Sequence, residues 1–114
     1  MKIFLTGGTG YIGKRLLIQL LEEGHTVVCS VRDRKRFSTR LFQNHLHQIE
    51  IVENDFLDDS TLQNIPKDID YAYYLIHSMS SGDGNFDEKE KISAENFKHA
   101  LEKTSVKQVI FLTG

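Results

Sequence analysis

Four glycines within seven positions, Gly7, Gly8, Gly10 and Gly13, follow the short apolar run Lys2-Ile3-Phe4-Leu5-Thr6. A strand that breaks into glycines and restarts as a helix can hold an anion without a charged side chain. Glycine lets the backbone turn sharply and come close to a ligand, and the N–H groups and positive dipole end of the helix attract negative charge. Gly8, Gly10 and Gly13 satisfy G-x-G-x-x-G, while Gly7, Gly10 and Gly13 repeat at a spacing of three behind Thr6. After a strand and before an amphipathic helix, this pattern predicts a dinucleotide pyrophosphate on the backbone of Gly7, Gly10, Tyr11, Ile12 and Gly13. A purely structural tight turn is the competing reading.

The second chemical signal is Arg32-Asp33-Arg34-Lys35-Arg36, the one dense basic cluster, just beyond the second predicted strand. A solvated loop is its plain reading. At such a strand tip, however, a carboxylate accepts the ribose 2′-hydroxyl of NAD, whereas a guanidinium grips the 2′-phosphate of NADP. Aligned from His25, the tip is Val31 and the next residue is Arg32, so NADP(H) is expected over NAD(H), with Lys35 or Arg36 as a second cation. Asp33 would serve NAD instead if the strand ran two residues further. Metal chemistry is not expected, because His45-x-His47 would point apart on a short helix and no other histidine sits at ligand spacing. A kinase-type phosphate loop fails at Arg15, which follows Lys14 where serine or threonine is needed.

Holding these groups together requires strands that end side by side. Lys2 to Thr6 reads as a buried strand. Ile12, Leu16, Leu17, Leu20 and Leu21 recur at helical spacing, and Gly24 follows as a C-terminal cap. Thr26 to Val31 has the unbroken β-rich character of a parallel strand buried on both faces. Phe37, Leu41, Phe42 and Leu46 predict a short helix between Phe37 and His47, and Ile49 to Glu53 a third strand. Asp58-Asp59-Ser60 can cap another short helix, bearing Leu62 and Ile65 and ended by Pro66. Ile69 to Ile76 predicts the fourth strand and residues 77–85 a flexible loop. Asp87 opens a long charged helix with Phe97 and Leu101 on one side and Ile92 on the other, and Val106 to Thr113 is the fifth strand. This alternation predicts an α/β fold: a doubly wound, Rossmann-type parallel sheet in three layers, five strands in the order 3-2-1-4-5. The loops after residues 6, 31, 53 and 76 then meet where that order reverses.

At 114 residues the chain has room for one domain with a real core, and its net charge of −2 argues against nucleic acid as a partner. The longest apolar stretch, Tyr71 to Ile76, is far short of a membrane span, and no basic-then-apolar leader precedes Ile3; a cytoplasmic protein off the membrane is the expectation. The single cysteine, Cys29, lies in a strand and reads as a buried, inert thiol.

Written out, Thr6-Gly7-Gly8-Thr9-Gly10-Tyr11-Ile12-Gly13 resembles the short-chain dehydrogenase/reductase superfamily in its extended and atypical branches, and the likeness runs along the whole chain. Asn54-Asp55-Phe56 looks like that family's adenine pocket, which implies that Asp55 takes the exocyclic amine and Phe56 contacts the ring; a plain turn residue is the alternative for Asp55. Tyr74-Leu75-Ile76-His77-Ser78-Met79, Glu95-Asn96-Phe97 and the run from Val106 to Phe111 are similar to a bacterial subgroup of NAD(P)-binding, NmrA-like or nucleoside-diphosphate-sugar-epimerase-like proteins. That likeness implies that Leu75, Ile76 and His77 border the cofactor ribose, His77 having otherwise the character of a loop histidine with no catalytic role.

The family's general acid, Tyr-x-x-x-Lys, has no counterpart: four residues beyond Tyr11, Tyr71, Tyr73 and Tyr74 stand Arg15, Leu75, His77 and Ser78. Where extended members place a catalytic serine, the likeness sets Thr113 and Gly114. Residues 1–114 are therefore expected to be one dinucleotide-binding domain, a fragment of a longer oxidoreductase or epimerase-like protein, without catalytic residues and inactive alone. The reading from a different class is a non-enzymatic, NmrA-like dinucleotide sensor that acts through partner binding. Ile92 and an open sheet edge leave room for a homodimer.

Overall fold

The computed structural model describes residues 1–7, 10–76 and 84–113, and for 76, 84–87, 112 and 113 the backbone alone. Five strands, β1 (Lys2–Thr6), β2 (Thr26–Val31), β3 (Ile49–Glu53), β4 (Tyr71–Ile76) and β5 (Gln108–Thr113), pair in parallel in the order β3-β2-β1-β4-β5. Alternation along the central strands divides the core in two. Ile3 and Leu5 of β1 and Val27, Cys29 and Val31 of β2 pack with Leu17, Leu20 and Leu21 of α1 (Tyr11–Glu22). Phe4, Val28, Ala72 and Tyr74 point to the other face, toward Phe97 and Leu101 of α2 (Gly84–Glu102). Each fully buried valine, leucine or phenylalanine among them contributes about 1.5–3 kcal/mol relative to exposure. The fold is thus the doubly wound α/β architecture that the alternating pattern predicts.

α1 stops where its sequence says it should. Gly24 has φ +88° and donates to the Leu21 carbonyl at 3.0 Å, closing the last turn. Leu16 is only partly buried and Ile12 is exposed, so the buried stripe is narrower than the apolar spacing suggests.

The middle connections differ from expectation. Between Phe37 and His47 there is no α-helix; Arg34–Arg36 and Arg40–Gln48 are 3₁₀ segments, the second kinked at Phe42 and His45. Phe42 is the one buried residue in Arg40–Gln48, stacked on Phe37 at 6.1 Å, and one anchor cannot enforce a regular apolar face. Side chains close the segment instead: Gln48 Nε2 donates to the carbonyls of Leu21 and His25 at 3.0 and 2.9 Å and its Oε1 meets His45 Nδ1 at 2.8 Å. Asp59–Asn64 is likewise a 3₁₀ turn, capped by the Asp58 carboxylate on Ser60 N–H. The strands β4 and β5 begin two residues later than their apolar runs, and α2 begins at Gly84 rather than Asp87. The loop predicted over 77–85 falls largely outside the described residues.

Candidate functional site

β1 and β2 stay paired as far as Thr6 and Ser30, but β1 and β4 only as far as Leu5 and Tyr73. Beyond that point the strands separate and a crevice opens where the strand order reverses. The Thr6 hydroxyl spans it, accepting from Leu75 N–H at 3.1 Å and donating to the Tyr73 carbonyl at 3.5 Å. Gly7 follows with φ +74°, and a Cβ on it would lie 3.0 Å from Leu75 Cβ. Only glycine supplies both that backbone sign and that clearance. Gly10 N–H donates to the Gly7 carbonyl at 3.1 Å and Lys14 N–H to the Gly10 carbonyl at 2.9 Å, so the turn runs directly into α1.

Gly10 is the N-cap of α1, with no side chain to cap it and no acidic residue in the first turn. The positive end of the helix is therefore not neutralised by its own residues. Gly13 is buried against the sheet, while Tyr11 and Ile12 are exposed at the rim. Arg15 Nη1 donates to Tyr11 Oη at 3.2 Å, and its guanidinium lies 5.6 Å from the ring centre, which holds the phenol along the outside of α1.

A cavity of about 630 Å³ lies along this edge. Thr6, Gly7, Tyr74 and Leu75 contribute from β1 and β4, Ser30, Val31, Arg32, Asp33 and Arg36 from the end of β2 and its turn, and Asn54 and Phe56 from the loop after β3. Among the described residues, Arg32 makes no hydrogen bond or ion pair. Asp33 Oδ1 accepts from Lys35 N–H at 3.0 Å, and its Oδ2 lies 4.0 Å from Arg36 Nε. Arg34 turns away: its Nη2 donates to the Ile51 carbonyl at 2.7 Å.

Asn54 is buried, and its role is structural. It accepts from Ser30 Oγ at 2.7 Å and donates to the Thr61 carbonyl and Asn64 Oδ1 at 2.9 and 2.6 Å, fastening the loop after β3 to β2. Asp55 beside it is half-buried, outside the cavity wall, with Oδ1 accepting from Leu57 N–H at 3.0 Å. Phe56 does reach the wall. It meets Tyr74 and Phe97 edge-on, and Asn96 Nδ2 of α2 donates to its carbonyl at 2.6 Å.

Of the residues singled out by sequence, Gly7, Arg32, Asp33, Arg36, Phe56 and Leu75 share one cavity, Lys35 and Asp55 lie outside its wall, and the start of α1 adjoins it through Gly10. Tyr11 and Ile12 begin α1 outside that cavity with exposed side chains, Ile76 is the last residue of β4, and His77 and Gly114 lie outside the described residues. Sequence patterns did not point to Thr6, Ser30, Asn54 or Tyr74 as wall residues. The signal was available for Thr6, which ends β1 immediately before the glycines; Ser30 reads as an ordinary strand residue, and Asn54 as the first member of the Asn54-Asp55-Phe56 likeness with no role of its own, until their hydrogen bond is seen. Among the described residues no cluster of histidine, cysteine and carboxylate could hold a metal, and no helix is long and apolar enough to cross a membrane.

A dinucleotide fits this geometry. Its pyrophosphate needs backbone unobstructed by a Cβ and an uncompensated helix N-terminus, and its adenosine needs an apolar slot with polar groups at the ribose. The model of a family described as NAD(P)H-binding matches residues 7–114. The chain belongs to that NAD(P)H-binding family. The ketoreductase sphI of Aspergillus fumigatus is 24% identical over 112 residues, 95% of this chain and 34% of that protein. Among solved structures, the yeast methylglyoxal/isovaleraldehyde reductase Gre2 complexed with NADPH superimposes with a TM-score of 0.77 at 21% identity, over 97% of this chain and 36% of that one. The UDP-glucose 4-epimerase of Thermotoga maritima with UDP-glucose gives 0.72 at 22% identity, over 97% and 37%. The chain therefore spans about a third of the length of these relatives. At such identities the solved structures speak for the fold, and the family match for the NAD(P)H-binding domain.

Proposed function

We propose that this domain holds NADP(H) in preference to NAD(H) and serves as the cofactor half of a reductase or epimerase-type protein. One observation carries the preference: Arg32 stands in the cavity wall immediately after β2 ends at Val31, without an acidic partner among the described residues. β2 does not extend to Asp33, and the Asp33 carboxylate already serves the adjacent turn, which counts against it as the ribose acceptor of NAD.

In this reading the backbone from Gly7 to Gly13 receives the pyrophosphate, Phe56 packs the adenine ring, Asp55 at its edge takes the exocyclic amine, and Leu75 borders the ribose. When bound, the nicotinamide supplies hydride exchange. The chain itself binds, orients and excludes water. With no Tyr-x-x-x-Lys pair it turns over no substrate alone, and the activity belongs to a longer protein.

Calorimetric titration of NADPH and NADH tests the preference. A charge-assisted bond contributes about 1.5–3 kcal/mol, so Arg32→Ala should weaken NADPH roughly tenfold or more and leave NADH little changed. Tighter NADH than NADPH binding by the unaltered chain, or equal losses for both in the variant, overturns it.

A further inference from the structure

The basic turn after β2 is pinned at three points. Asp33 caps the 3₁₀ turn Arg34–Arg36 through Lys35 N–H, and Arg36 N–H donates to the Asp33 carbonyl at 3.0 Å. Arg34 straps it to β3, its side chain on the Ile51 carbonyl at 2.7 Å and its backbone N–H on Glu53 Oε2 at 3.3 Å. Phe37 closes the far end, buried and stacked on Phe42. Arg32 and Arg36 are the two cations of the turn left to line the cavity.

We infer that Asp33 is a positioning residue for NADP(H): its carboxylate holds the turn that presents Arg36 beside Arg32 to the adenosine 2′-phosphate, although a carboxylate at this strand tip would ordinarily select NAD. This rests on the NADP(H) reading above. The Asp33–Arg36 pair is wide and exposed, so it does not compete with a phosphate for the guanidinium. The hydrogen bond to Lys35 N–H is what matters, and asparagine at the same place can make it without the charge.

Asp33→Asn and Asp33→Ala separate the alternatives, each titrated with NADPH and NADH and checked for folding by circular dichroism. Both changes are on an exposed turn. Asp33→Asn keeps the cap and removes a negative charge near the phosphate, so NADPH should bind at least as tightly as to the unaltered chain. Asp33→Ala loses the cap and should weaken NADPH about three- to tenfold, with NADH unchanged. If alanine matches asparagine, the carboxylate acts by charge alone and the positioning role is wrong. If either variant weakens NADH, Asp33 is a ribose acceptor and the inference fails. An unaltered chain that does not prefer NADPH removes the reading beneath it, a result distinguishable because it needs no Asp33 variant.

Discussion

Gly7 and Leu75 face each other so closely across the parted ends of β1 and β4 that a Cβ on residue 7 would lie 3.0 Å from Leu75 Cβ and 3.1 Å from its Cδ1. Rotation cannot move a Cβ aside, so relief would have to come from the backbone of one strand. The left-handed φ of +74° adds its own cost to any side chain.

Gly7→Ala should therefore lower stability by on the order of 2 kcal/mol or more and displace Leu75 from the cavity wall. Chemical denaturation gives the first quantity and NADPH titration the second. An alanine variant with the parent's denaturation midpoint would mean that the turn is not held as described.

Ser30 and Asn54 set a second test. Both are buried, and Asn54→Ala would leave the Ser30 hydroxyl without its 2.7 Å partner while freeing the loop from Thr61 and Asn64. An unsatisfied buried polar group costs about 1–3 kcal/mol, so this substitution should destabilise clearly. Asp55→Ala, at a half-buried position with one local bond, should cost less. Equal losses at the two positions would contradict the division between Asn54, which fastens the loop to β2, and Asp55, which makes only a local bond.

Cys29 offers a test of the core. It is buried in β2, and burial pushes its thiol up to about 12. The thiolate is the reactive form, so iodoacetamide should not label the native protein at mildly alkaline pH and should label it readily in denaturant. Rapid native labelling would place the residue outside the core.

Much of this was legible because the central strands are apolar on both faces. Ile3 and Leu5 against Phe4, and Val27 and Cys29 against Val28, identify a sheet covered on both sides before any partner is known. The strand order expected from the alternating pattern likewise put the reversal at the ends of β1 and β4, where the crevice is found. What escaped were elements governed by few side chains. The apolar spacing from Phe37 to Leu46 mimics a helix, yet Phe42 alone of Arg40–Gln48 reaches the core, Leu41 and Leu46 are exposed, and Gln48 determines the path. Arg34 and Arg36 are indistinguishable as letters in a basic run, and only contact with β3 separates the strap from the cavity residue.

The opposite edge of the sheet carries a pH-dependent clasp. Lys2 Nζ lies 2.9 Å from Asp68 and 3.5 Å from Glu50, joining the start of β1 to β3 and to the lead-in of β4. The hydrogen bond with Lys2 holds the Asp68 carboxyl below its ordinary 3.8, so its contribution is present above that value and lost as pH falls through the lower folded one. The same bond, with help from Glu50, keeps the Lys2 ammonium above its ordinary 10.5; that contribution is complete below 10.5 and lost as pH rises through the higher folded value. Between these limits the clasp is constant. Asp68→Asn should therefore lower the denaturation midpoint slightly and equally from mildly acidic to mildly alkaline solution, and the difference from the parent should shrink below pH 3.8 and again above 10.5. Because Asp68 is exposed, high salt should shrink it as well. A difference that persists unchanged in strong acid would show that Asp68 acts through something other than its charge.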